Sequence, residues 1–115
     1  MPAYGFGSDK KFSFSQVVAV GTADYTLVAD PGTTATLVVQ SMTISITVAN
    51  AATVAIGGAT DLFAVPASLA VGTYGWDAGP LGVKMAESEA LLWNASAAGV
   101  GATITGFGYI VDSAG

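Results

Sequence analysis

The chain has 115 residues, 3 of them Lys or Arg and 8 Asp or Glu, with no His and no Cys, for a formal net charge of −5. At that length one domain is expected. The absent imidazoles and thiols exclude His-based triads and Cys/His zinc sites. Three lysines (Lys10, Lys11 and Lys84) cannot neutralise a run of phosphates, so no nucleic-acid partner is expected.

In chain order, residues 1–10 read as an N-terminal arm, rich in Gly and carrying Tyr4 and Phe6, and residues 11–115 as a single β-domain. The start lacks a basic stretch followed by an apolar block, so a signal peptide is not expected. Phe12, Phe14 and the run 16–20 are β-formers with partial alternation, and Gly21 breaks them before Tyr25-Thr26-Leu27-Val28. Asp30-Pro31-Gly32 is a turn in which Pro presets φ and Gly supplies a positive one.

The clearest strand runs from Ala35 to Val48, with Met42, Ile44, Ile46 and Val48 on one face and Thr43, Ser45 and Thr47 on the other. Leu37-Val38-Val39 breaks the alternation, which predicts burial on both faces or a bulge near Gln40-Ser41. Asn50-Ala51 turns the chain into Thr53-Val54-Ala55-Ile56, which Gly57-Gly58 ends. Short pieces follow at 61–65, 68–71 and 73–76, then a stretch of helix formers at 84–92 where one helical turn is expected. Residues 91–95 and 102–111 are the last strands; Ile104, Gly106, Gly108 and Ile110 share a face, and the two glycines predict a bend or a close backbone approach.

About eight strands with no long helix give an all-β fold, an antiparallel β-sandwich or small barrel. Residues 34–58 are apolar enough to span a bilayer but are interrupted by Thr, Ser, Gln and Asn, so no membrane partner is expected.

Little chemistry is available. Asp24, Asp30, Asp61, Asp77, Glu87, Glu89 and Asp112 could in principle supply a carboxylate pair, but most sit beside Gly, Pro or Ala where Asp acts as a turn former. Glu87-Ser88-Glu89 would place two carboxylates on one face if extended. Gly99-Val100-Gly101 lacks the strand–turn–helix context and the Lys of a phosphate loop, and Lys84 reads as a surface charge or a cross-subunit partner. No catalytic residue, metal or cofactor is assigned, and no enzyme is expected.

The aromatic residues are numerous for so few charges. Trp and Tyr dominate interface hot spots, and Tyr4, Phe6, Phe63, Tyr74, Trp76 and Trp93 are the candidate interface residues. Charged residues make up 10% of the chain against about 25% in ordinary soluble domains, so much of the exterior is left to small neutral residues. Such a surface belongs against other subunits.

The stretch from Glu87-Ser88-Glu89-Ala90-Leu91-Leu92-Trp93, followed by Gly99-Val100-Gly101 and Gly106-Phe107-Gly108-Tyr109, resembles the closing hairpin of small tailed-phage virion proteins. Met42-Thr43-Ile44-Ser45-Ile46 with Thr53-Val54-Ala55-Ile56-Gly57-Gly58 is similar to their central hairpin. The family is that of the capsid decoration, or cement, proteins, and the likeness covers roughly residues 35–111. It implies a jelly-roll-like β-sandwich clamped on the outer capsid surface of a virion, with the major capsid protein and copies of itself as partners, a trimer ahead of a dimer. The arm would then order on docking. Other virion β-domains (tail, fibre base or minor capsid protein) and a carbohydrate-binding module, with Trp76 or Trp93 on an exposed platform, are the alternatives.

Overall fold

A computed structural model describes residues 10–50, 52–59, 61–65 and 70–112. It contains nine strands: β1 (Lys10–Val18), β2 (Asp24–Val28), β3 (Ala35–Val48), β4 (Val54–Gly57), β5 (Asp61–Val65), β6 (Gly72–Asp77), β7 (Val83–Glu87), β8 (Leu91–Ala95) and β9 (Gly101–Asp112). Every paired neighbour is antiparallel. The first sheet runs β1-β9-β3 and then β6 and β7, which share the outer edge of β3; the second runs β2-β8-β4-β5.

The two sheets pack as a β-sandwich. The strand order is that of a jelly roll of eight strands once β6 and β7 are taken as one interrupted strand. They pair with successive stretches of β3, Ser41–Ile46 and Thr36–Val39, so the count of nine against the expected eight comes from a single excursion over residues 78–82.

That excursion follows from one residue. Opposite β9, the register slips between Val39 and Ser41, leaving Gln40 as the extra residue of a bulge, as the broken alternation predicted. The Gln40 carbonyl accepts the Ala78 N–H at 2.8 Å, and its side-chain Nε2 donates to the Pro80 carbonyl at 2.7 Å. Asp77 Oδ1 accepts the Gly79 N–H at 2.8 Å and closes the turn. Gly82, at φ +72°, returns the chain where a Cβ would sit 2.7 Å from Val38 Cγ1.

The expected helical turn at 84–92 is absent. Val83–Glu87 pairs with β3, Ser88 takes φ 61°, and Leu91–Ala95 pairs with β2 and β4. Good intrinsic helix formers are overridden here by an edge of β3 that needs partners for its N–H and C=O groups.

The core lies between the sheets. Leu37, Met42, Ile44, Ile46 and Ile104 from the first sheet, and Leu27, Ile56, Leu91 and Trp93 from the second, are at most 2% exposed. β3 runs the length of the molecule: fourteen residues at ~3.3 Å each give about 46 Å, against a long dimension of 50 Å. Gly106 and Gly108 share the inward face of β9 with Ile104, opposite Phe14 and Phe12 of β1, whose rings cover them.

A carboxylate joins the two sheets at one end. Glu89 accepts the N–H of Ala59 at 2.6 Å, in the turn after β4, and that of Ala86 at 3.1 Å, on β7. It lies directly against Gly58, whose missing Cβ leaves the room. Charge-assisted bonds contribute more than neutral ones, and this side chain is partly exposed, so Glu89→Gln is expected to lower stability by about 1–2 kcal/mol. Gly58→Ala should be destabilising in the native background and close to neutral with Glu89→Ala, a coupling that a urea-denaturation double-mutant cycle measures.

Candidate contact surfaces

The six sequence-predicted interface residues divide three ways. Tyr4 and Phe6 lie outside the described residues. Trp93 is a correction: it is 0% exposed, inward on β8 between Tyr25 and Ile56, and so belongs to the core rather than to a contact face. Phe63, Tyr74 and Trp76 are half-buried and packed against the core. Phe63 stands opposite Ile56 on β5, while Tyr74 and Trp76 stand opposite Ile44 and Met42 on β6.

These three rings therefore line the inward rows of the last strand of each sheet. The Tyr74 hydroxyl donates to the Ala70 carbonyl at 2.9 Å, which ties the ring down locally. Neither tryptophan presents a flat exposed platform. The expected two-carboxylate face of Glu87-Ser88-Glu89 does not form either, because Ser88 reverses the chain and Glu89 turns back onto Ala59 and Ala86.

The remaining carboxylates behave as turn and strand-end residues. Asp30 Oδ1 accepts the Gly32 N–H at 3.2 Å, and Gly32 takes φ +116° as the Asp-Pro-Gly turn requires. Asp112 Oδ1 accepts the Thr34 hydroxyl at 2.9 Å. Among the described residues no three acidic, His or Cys side chains are grouped so as to hold a metal ion.

Much of what the fold exposes is neutral. The outer face of the first sheet carries hydroxyl-bearing rows, among them Ser13, Thr43 and Thr105, around Phe107, which is 51% exposed. A shallow groove of about 340 Å³ runs beside Phe107 over Gly106, lined by those residues and Ser41. At the tip of the β6–β7 excursion Leu81 is 83% exposed, its carbonyl accepting the Tyr109 hydroxyl at 3.1 Å. On the outer face of the second sheet Asp24, Thr26, Leu92 and Asn94 border a second depression. Among the described residues these surfaces carry no grouped set of acidic, His or Cys side chains.

Val17, Val48, Val71, Leu81 and Phe107 are exposed apolar residues that sequence reasoning did not single out. A signal existed for Phe107, which alternates with Gly106 and Gly108 on the Thr103–Thr105 side of its strand. No protein-family model matches the chain, and no curated protein sequence does.

Proposed function

We propose that this chain is a structural virion protein that decorates a phage capsid from its outer surface, bridging major capsid subunits and associating with copies of itself as a trimer. The observation that carries this reading is a jelly-roll sandwich built from a chain of which only 10% is charged, with its charges set at or near strand ends and turns. Such a domain binds by burying neutral surface and by backbone pairing at free edges, with no chemical step. The charge-poor exterior supports a life against neighbours in preference to a free monomer.

The test is occupancy on shells. Purified protein is added to capsids of the phage that encodes it, assembled without it, and the particles are imaged. Density at regular positions between capsid subunits is the expected result, and density at the tail or nowhere on the shell rejects the proposal. Deleting residues 1–9, with Tyr4 and Phe6, should lower shell occupancy and leave the far-UV CD spectrum unchanged. Unaltered occupancy would remove the arm from the binding account.

A further inference from the structure

The chain alternates between the two ends of the sandwich, and its charges do not. The connections β1–β2, β3–β4, β5–β6 and β8–β9 all join strand ends at one end, where β1 stops and β9 starts. Those connections are residues 19–23, 49–53, 66–71 and 96–100, and they contain no Asp, Glu, Lys or Arg. Seven of the 16 described residues among them are alanine, which gives a surface with few side-chain polar groups to desolvate.

The opposite end, with connections β2–β3, β4–β5 and β7–β8, holds Lys10, Lys11, Asp30, Asp61, Glu87, Glu89 and Asp112 at or near its strand ends. At the uncharged end the single charged side chain among the described residues is Asp24, which starts β2 on the outer face of the second sheet.

Four exposed valines mark the first-sheet side of that end. Val17, Val20, Val48 and Val71 are 68, 45, 43 and 64% exposed. Val20 and Val48 approach each other over the first residue of β9: a Cβ on Gly101 would lie 3.2 Å from Val20 Cγ2 and 3.4 Å from Val48 Cβ. Val17 stands opposite Thr103 on the outer face, and Val71 directly precedes β6. The patch thus wraps from the loops onto the adjoining hydroxyl-bearing rows of the first sheet.

We infer that this uncharged end is a self-association surface, its occupant a second copy of the same chain. Charge supports that occupant. Each chain carries a net −5, and meeting at this end holds the charged halves of two 50 Å molecules far apart compared with a Debye length of about 8–10 Å. Contacts through the opposite ends would crowd like net charge. The surface required is one with few unpaired charges, and the chain's own end, where Asp24 sits apart on the outer face of the second sheet, is such a surface.

Area supports it as well. The 24 × 20 Å cross-section offers about 480 Å², short of the ~800 Å² per partner of a stable interface. Four strands ~4.8 Å apart, taken about five residues deep, add roughly 300 Å² of outer sheet face. Together these reach the size a stable pair needs.

The inference deepens the self-association part of the proposed function and does not depend on the capsid. Sedimentation equilibrium of the full chain at micromolar concentration tests it. The expected result is a mass above that of the monomer that persists at high salt. Val20→Glu and Val48→Glu should each weaken association by at least about tenfold, since each buries an unpaired charge at the contact. Val17→Ser should weaken it less, without adding a charge, and all three should keep the native CD spectrum. Thr26→Glu, on the outer face of the second sheet, should leave association unchanged. A monomeric wild type, association untouched by the valine variants, or association lost only in Thr26→Glu overturns the inference. A monomer that still occupies capsid shells would overturn this inference alone and leave the capsid reading standing.

Discussion

Gly108→Val is expected to destabilise the sandwich by about 3 kcal/mol or more, the upper range for overpacking a closed core. A Cβ at this position would fall directly on the Val38 carbonyl oxygen and 3.1 Å from the Phe12 ring. The ring could move, but the carbonyl belongs to β3, which is held on both sides by β9 and by β7. The register slip between Val39 and Ser41 draws that backbone in against β9, so the glycine and the bulge form one device. Relief would require β3 and β9 to separate at mid-sheet, with loss of the inward packing of Leu37 and Val39. A domain of this size has about 5–15 kcal/mol of stability in total, so the variant should show a sharply lowered urea midpoint or fail to accumulate. Phe12→Ala in the same chain should not restore it, because the obstructing atom is main-chain. A double variant as stable as wild type would show that the ring, and not the carbonyl, sets the constraint.

The same device shows what the sequence made legible. Period-two alternation in Met42, Ile44 and Ile46 placed β3 and its inward face, though Val48, expected on the same face, is 43% exposed because the register slips between Ile46 and Val48; the broken run Leu37-Val38-Val39 located the other bulge. Two glycines on one face of β9 marked the close approach of another backbone, and Val38 and Ser41 supply it. Asp30-Pro31-Gly32 turns as its residues require. What failed was local propensity. Residues 84–92 hold good helix formers, yet pairing with β3 decides their structure, and no local pattern announces a partner more than forty residues away.

The strand count also bears on the candidate surface. Connections in this fold alternate between the two ends, so an accurate strand list sorts the loops by end on parity alone. β6 and β7 break that parity unless they are counted as the one interrupted strand they form. The absence of charge from residues 19–23, 49–53, 66–71 and 96–100 is plain in the sequence, but the gathering at one end of the strand ends they join is a property of the topology. Trp93 was misplaced for a related reason. Leu91 and Leu92 are equally apolar, so the inward row of β8 is signalled only by exposed Asn94 on the other row.

Trp93→Ala should cost about 3–5 kcal/mol, as truncation of a large buried aromatic side chain does. Trp93 is the largest fully buried side chain and fills the inward row of β8 between Tyr25 and Ile56. Trp93→Phe should behave differently. The indole Nε1 is buried and has no hydrogen-bond partner among the described residues, a deficit of about 1–3 kcal/mol for an unsatisfied donor. Phenylalanine keeps a ring across most of the site and removes that donor, so the lost volume is offset and the net change should fall within about 1 kcal/mol of wild type. Equilibrium denaturation of the two variants decides the point, with m-values expected to match the parent. If Trp93→Phe proves as costly as Trp93→Ala, the indole N–H has an acceptor and the tryptophan is held by polarity as well as by size. If it proves neutral, the residue is retained for volume alone, as a filler of the space between the sheets rather than a contact residue.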